Sequence, residues 1–252
     1  MNRPSIKGML CIAAAAAGLA AAPLASANGA KSFIAEAAVI KGEVKLLGGL
    51  LLNPLTINVV DVGPIPSSGG YDADNLVEIK PGTLKALLLK GVVAEASAAG
   101  GFGTPAGLGR SRAFASVGRA DVGLGPTSAL LVNADVIQST AAASCDQNTR
   151  VASSAGQSLI ANLKINGNPI AVTGQPNQTL LLPGLAKVVI NEQIATQTSI
   201  PSPEGAPFVE DQAVLTVNAI HISLLNPLDR LLATDLIVGH SKAGIGCLKR
   251  RP

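Results

Sequence analysis

Long runs that alternate small or β-branched residues with polar ones are the strongest constraint on how this chain can fold. A period of two places successive side chains on opposite faces of an extended strand, and a helix cannot bury such a pattern on one side. Arg112–Leu124 sets Ala113, Ala115, Val117 and Arg119 against Phe114, Ser116, Gly118 and Ala120. Phe33–Leu47 sets Val39, Lys41, Glu43 and Lys45 against Ile40, Val44 and Leu46, with Gly42 as a candidate bulge. Thr179–Cys247 holds three more apolar strand-like runs: TLLLPGLAKVVINEQ, VLTVNAIHISLL and TDLIVGHSKAGIGC. A helical start competes at AEAA (35–38) and after Thr83, but Gly42, Gly91 and the β-branched residues beside them favour strand.

Turn residues divide these runs. Ile57–Val62 and Asn75–Lys80 are predicted as short strands, and Gly63–Asp74 as the loop between them. Gly100–Gly109, with five glycines and Pro105, reads as the loosest segment. Asn166-Gly167 is a tight-turn dipeptide. Ile170–Thr173 reads as a short strand, Gly174–Gln178 as a loop, and Ser199–Asp211 as a Pro- and acid-rich loop. LLLKGVVAEASAAG followed by RAFASVGRADVGL looks like SALLVNADVIQSTAAASC followed by RVASSAGQSLIANLKING. Both read as long Ala/Ser-rich hairpins of similar shape, short of a solenoid period. The expected fold is all-β: one antiparallel, sandwich-like domain with long strands over residues 28–252, a β-solenoid-like arrangement being the alternative.

The N-terminus reads as a secretory signal peptide over residues 1–27. Arg3 and Lys7 form a basic start, 9–23 an apolar run, and Ala25-Ser26-Ala27 a cleavage site. The run is short for an uncut membrane anchor of about 20 residues, so no transmembrane span is expected after cleavage. Removing Arg3 and Lys7 from 19 basic residues leaves 17 against 16 acidic ones, a balance of +1. That gives no reason to expect nucleic acid as a partner. Trp is absent and aromatics are 2% of the chain, so bases would find few stacking platforms.

Two cysteines remain after cleavage, Cys145 and Cys247. An even number in an exported chain points to one disulfide. The competing reading is a Cys/His metal site with His221 or His240, but no paired ligand spacing supports it.

Five segments of the C-terminal half carry a family resemblance: VNADVIQSTAAASC, SLIANLKING, LPGLAKVVINEQ, LTVNAIHISLL and DLIVGHSKAGIGC. In this order they resemble the choice-of-anchor P family, over roughly residues 129–247. The resemblance implies an extracellular β domain of undefined activity, with both cysteines inside it. Only LKRRP follows Cys247, with no sorting motif or apolar tail, so the expected protein is soluble after export or held non-covalently.

Candidates for chemistry are few. On alternation, His221 shares a face with Leu215, Val217 and Ala219, and His240 with Leu236 and Val238. If their strands pair across the Asn226–Arg230 loop, the imidazoles approach each other. One reading is a metal or acid–base pair with Glu192, serving a metal-dependent hydrolase. The other is two histidines held by partners such as Asn218 or a backbone carbonyl. A hydrolytic metal needs a third ligand, and none stands at a recognisable spacing. Gly239-His240-Ser241 is not a nucleophile elbow. Asp72 with Asp74, or Glu210 with Asp211, offer oxygens for calcium without a loop spacing that would confirm it. Asn177-Gln178-Thr179 fits a glycosylation acceptor.

The expected function is that of an exported, non-catalytic surface or matrix protein, secreted or in the envelope. It needs no cofactor and contacts envelope or extracellular proteins, with self-association through strand edges as a further route. A module binding an apolar or lipid ligand between the sheets is the main rival.

Overall fold

The computed structural model describes residues 30–45, 55–79, 87–103, 108–124, 130–146, 148–201, 208–224 and 233–250. The expected signal peptide and the Asn226–Arg230 loop lie outside these residues. In chain order the strands are β1 (Ala30–Lys45), β2 (Leu55–Val62), β3 (Gly70–Ile79), β4 (Leu87–Gly103), β5 (Leu108–Leu124), β6 (Leu130–Cys145), β7 (Ala152–Ala161), β8 (Lys164–Ile165), β9 (Asn168–Pro169), β10 (Gln178–Leu182), β11 (Ala186–Pro201), β12 (Phe208–Leu224) and β13 (Ala233–Arg250). They form two antiparallel sheets. The first runs β10-β11-β12-β13-β1-β2, and the second runs β3-β4-β5-β6-β8-β9 with β7 also on β6. One apolar core lies between the sheets, so the expected sandwich-like all-β class is what the chain adopts. Among the described residues no helix is long and apolar enough to cross a membrane.

Most of the long strands change, at one level, which residues face the core. In β12, Ala213, Leu215, Val217 and Ala219 are buried, and then Ile220 and Ile222. In β5, Ala113, Ala115 and Val117 are followed by Ala120, Val122 and Leu124. β6 switches in the same way between Ala134 and Ile137. The switch follows a row of left-handed backbone positions that crosses each sheet, on alternate strands in the first sheet and on β4, β5 and the end of β7 in the second. Val60, Gly239 and Asn191 form the row in the first sheet, and Val93, Arg119 and Asn162 in the second. In the first sheet two successive residues, such as Ala219 and Ile220, turn inward. In the second, Gly118-Arg119 and Asp135-Val136 turn outward. The two sheets therefore bend in the same sense, one nested in the other. Gly239 sits at the contact: with φ +70°, a Cβ there would lie 3.4 Å from Ile137 Cγ2 of the facing sheet and 3.0 Å from the Ala219 Cβ of its own.

The bend divides the core by residue size. On one side Ala35, Ala37, Ala94, Ala96, Ala98, Ala113, Ala115, Ala141 and Ala143 are buried; on the other Leu124, Leu130, Ile190, Ile220, Ile222 and Leu236 are. Burying a Leu or Ile side chain contributes roughly 1.5–3 kcal/mol and an Ala far less. The alanine half compensates by close approach. Gly156 of β7 has no room for a Cβ, which would stand 2.6 Å from both the Thr140 carbonyl and Val217 Cγ2.

The alanine half is also where the sheets are cross-linked. Cys145 of β6 and Cys247 of β13 form a disulfide, with Cα atoms 5.8 Å apart and 102 positions between them in sequence. Ser139 and Ser241 hydroxyls meet at 2.7 Å across the same gap. Ser111 donates to the Ile34 carbonyl, and Asp211 accepts from the Ala152 amide at 3.1 Å.

Several sequence expectations need correcting. Gly63–Asp74 is a loop only as far as Gly69, because Gly70–Asp74 pairs with β4. The glycines at 100–103 and 109 belong to a hairpin rather than a loose loop, since β4 and β5 pair out to Gly103 and Leu108. Ser199–Pro201 and Phe208–Asp211 extend the β11–β12 pair, where a loop was expected. Ile170–Thr173 is not a strand; the Asn166-Gly167 turn joins only the two-residue strands β8 and β9. In β1 the change of face falls between Val39 and Ile40, not at Gly42. Simple alternation also put Arg119 with Val117, whereas Arg119 faces out and Ala120 in. The two similar hairpins are β4–β5 and β6–β7, neighbours in one sheet.

Two outcomes are expected. Replacing Cys145 and Cys247 together by Ala should lower unfolding free energy by about 2–5 kcal/mol in urea titration, the range for a long-loop bridge. Val93 is 60% exposed at φ 56°. Val93→Asn should relieve a left-handed cost of about 1–2 kcal/mol and raise stability, whereas Val60→Asn, at a buried site, should not.

Candidate functional site

The polar cluster of this protein lies on the outer face of the first sheet, where the strands bend. Pairing aligns Glu192 of β11, Asn218 of β12, His240 of β13, Ala38 of β1 and Asp61 of β2 in one transverse row. Because Ala219 and Ile220 both turn inward, the next outward residue on β12 after Asn218 is His221. The bend therefore sets His221 close beside the Glu192–Asn218–His240 row.

This placement corrects the faces expected from alternation. His221 does not share the face of Leu215, Val217 and Ala219, nor does His240 share that of Leu236 and Val238. Those apolar residues point into the core, and both histidines point away from it.

A continuous chain of hydrogen bonds joins the side chains. Asp235 Oδ1 lies 2.6 Å from His221 Nε2, and His221 Nδ1 lies 2.9 Å from Glu192 Oε2. Asn218 Nδ2 donates to the same Glu192 oxygen at 2.6 Å. That bond fixes the amide, so Asn218 Oδ1 faces His240 Nδ1 at 2.7 Å as an acceptor. His240 Nε2 then faces Glu36 Oε1 at 3.2 Å. Lys41 and Lys242 ammonium groups flank the same Glu36 oxygen at 3.7 and 3.5 Å. At the other end Ser223 donates to Asp235 at 3.1 Å.

Electrostatics follow from the contacts. The His240 hydrogen bond, with help from Lys41 and Lys242, outweighs burial and lowers Glu36 from 4.5 to about 2. Burial opposes charging His221, but its bonds to Asp235 and Glu192 prevail and its pKa is raised. Asp61 is pushed up by burial and by the neighbouring Glu36 charge, against Lys41 and His240.

The arrangement ties neighbouring strands together through their side chains. Each of the four imidazole nitrogens already faces an acceptor oxygen of the protein. Among the described residues no group of three or more His, Cys, Asp or Glu is placed to hold a metal ion. Ser223 bonds to the carboxylate rather than to the imidazole, so His221 is not placed to take its proton. Ser241 faces the core, bonded to Ser139.

Sequence reading named Glu192, Asn218, His221 and His240, and the structure links all four. It missed Glu36, Asp235, Lys41, Lys242, Asp61 and Ser223. Glu36 lies 204 positions from His240, and only the β1–β13 pairing joins them. The oxygen pairs considered for calcium do not converge. Asp72 accepts from the Gly63 amide and Asp74 from the Asn75 amide. Glu210 binds Ser32 and Gln212 on the outer face, while Asp211 turns inward to Ala152 and Ser199. Asn177 is exposed in the turn before β10, and its side-chain oxygen accepts from the Gln193 amide. A hollow of about 590 Å³ lies beside the disulfide, open to solvent and lined by Arg110, Arg112, Ser144, Asp146 and Ser153. No family model, curated protein or solved structure matches this chain.

The cluster gives stability a pH optimum. Glu36, lowered in the folded state, contributes fully above about pH 4.5 and loses its contribution as pH falls toward 2. A depression from 4.5 to about 2 would correspond to about 3 kcal/mol at 1.36 kcal/mol per pH unit, and solvent screening of this half-buried carboxylate keeps its contribution to a fraction of that. His221, raised, contributes fully below 6.5 and loses its contribution as pH rises through its folded value. Urea unfolding at a series of pH values should therefore show a plateau at about pH 5–6. Glu36→Gln should flatten the acid limb, and His221→Gln the limb above neutrality.

Proposed function

We propose that this chain is an exported, non-catalytic surface or matrix protein that acts by contact with envelope or extracellular proteins. The observation that carries the proposal is the Cys145–Cys247 bridge between the two sheets. A bridge built into the core has its use where thiols oxidise, outside the reducing cytosol. The basic, apolar and A-x-A pattern of residues 1–27 and the choice-of-anchor P resemblance of residues 129–247 point to the same compartment.

The rival readings have less support. A hydrolase would need His221, His240 and Glu192 to converge on substrate or metal. Here Asn218 stands between His240 and Glu192, and every ring nitrogen has a protein partner. A carrier of apolar ligands would need space between the sheets. That space is occupied by one continuous set of buried side chains, and the hollow beside the disulfide is open to solvent, with Arg110, Arg112 and Asp146 in its lining. The long exposed strands remain as the surface on which a contact protein would work.

The test is export followed by capture. Expressed in a bacterium with its own N-terminus, the chain should be recovered outside the cytosol. Its mass should match a start at Asn28 and two oxidised cysteines. Used as bait on envelope fractions, the oxidised chain should retain a protein that the reduced chain does not. An uncleaved cytosolic chain with two free thiols would overturn the proposal.

A further inference from the structure

The edge of β11 from Gln193 to Pro201 is built differently from the other strand edges of the sandwich. β10 covers β11 only from Ala186 to Ile190. Beyond that, β11 pairs with β12 on one side, and among the described residues no strand pairs with it on the other. Ile194–Pro201 is exposed throughout, with Ile194 and Ile200 at 54% and 39%.

Other edges carry the usual protections. β2 has a left-handed residue at Val60 and the exposed acid Asp61, β3 presents the exposed acids Asp72 and Asp74, β9 has two residues, and β10 has five. β7 is capped by side chains from the first sheet: Asp211 accepts from the Ala152 amide, and Gln197 and Gln193 donate to the Ala152 and Gly156 carbonyls. Ile194–Ile200, by contrast, has no charge, no proline and no glycine: Ile-Ala-Thr-Gln-Thr-Ser-Ile.

That heptapeptide is nearly the same read in either direction about Gln197. An antiparallel strand reverses direction, so the natural complement of the segment is itself. The backbone agrees. The Gln193 amide donates to Asn177 Oδ1, on the side away from β12. Pairing with β12 runs without a shift from Gln193 to Pro201. The N–H and C=O groups of Ala195, Gln197 and Ser199 therefore also point to the open edge. Pro201 has the same parity, which is why it can end the strand without breaking the ladder to β12.

We infer that this edge is an isologous dimer site: two copies of the chain pair β11 to β11, antiparallel, about a two-fold axis at Gln197. Gln197 faces Gln197 of the second copy, and Ala195 faces Ser199 in both directions. Each such pair exchanges two backbone hydrogen bonds. Between them Thr196 faces Thr198 and Ile194 faces Ile200, both favourable cross-strand pairs. The ladder stops at the next pair, because Pro201 has no N–H and the Gln193 amide is already bonded to Asn177. The six-stranded sheets of two copies become one continuous sheet. The assignment deepens the contact reading by naming one partner, a second copy. It is tested on purified protein, so a monomer would leave export untouched and a cytosolic chain would leave the dimer untouched.

Sedimentation of the chain from Asn28 onward should show a monomer–dimer equilibrium. Thr196→Lys with Thr198→Lys sets like charges opposite each other and should weaken the dimer at least about tenfold. The matching pair of Glu substitutions should do the same, and mixing the two variants should restore a mixed dimer. Gln197→Pro should also give monomer, while Gln197→Ala, which keeps the N–H, should not. In the unmodified chain, exchange protection of the Ala195, Gln197 and Ser199 amides should rise with protein concentration. A chain monomeric at all concentrations, a dimer indifferent to the lysine pair, a mixture that stays monomeric, or those amides exchanging alike at all concentrations would each overturn the assignment.

Discussion

The bend that crosses both sheets is the constraint on which the rest of this structure depends. A strand that kept strict alternation from end to end would put one set of side chains in the core throughout. Here left-handed positions reset the alternation in mid-strand, and neighbouring strands must follow or break their ladders. The reset separates an alanine half from a leucine half. It also lets two sheets so poor in aromatics share one continuous apolar core. The nested bend keeps them close where the side chains are small, and Leu and Ile fill the other half. β-Branched residues at φ near 50°, such as Val60 and Val93, carry the backbone cost of this shape.

The same reset produces the polar cluster. With strict alternation, His221 would point into the core beside Val217. Because two residues turn inward, it emerges beside Asn218 and within reach of Glu192 and Asp235. Five strands then share a run of acids, amide and imidazoles on one face. An exposed ion pair contributes about 0–1 kcal/mol, and breaking a buried one costs about 3–5 kcal/mol. The cluster spans that range along its length. Asp235 is largely solvated, whereas the His240 side chain is 7% exposed and its Glu36 partner 20%. The β13–β1 end therefore holds more of the stability, and it joins the N-terminal strand to the C-terminal one.

The sequence made the architecture legible wherever local chemistry decided it. Alternation, turn residues and the two late cysteines were enough to expect a stapled antiparallel sandwich. It was less informative where one strand's behaviour depended on another's. Nothing around Val60, Val93 or Arg119 announces a left-handed residue, since glycine marks only one of the three positions in the first sheet and none in the second. The faces of His221 and His240 were misjudged for that reason, and Arg119 with them. Glycine-rich 100–103 looked like a loop because composition does not reveal that Gly100 lies against Phe33 and Ile65. Glu36 and Asp235 could not be joined to the histidines without knowing that β1 enters the sheet beside β13.

The open side of the sandwich follows from how its neighbour is closed. β7 needs partners for the outward groups of Ala152 and Gly156, and no further strand is at hand to supply them. The inner side chains of β11 and β12 do so instead: Gln193, Gln197 and Asp211 reach across the gap between the sheets. Neutral amides suit the two carbonyls because they donate without bringing an unpaired charge to the core rim, while the Asp211 carboxylate, bonded also by Ser199, takes the one amide. A lysine on the inner face of β11 would guard the edge of that strand but would leave the β7 carbonyls to a charged group at the core boundary. Protecting one edge by side chains thus leaves the other defended only by its outer face. There the chain carries Ile194, Thr196, Thr198 and Ile200, which favour pairing rather than oppose it.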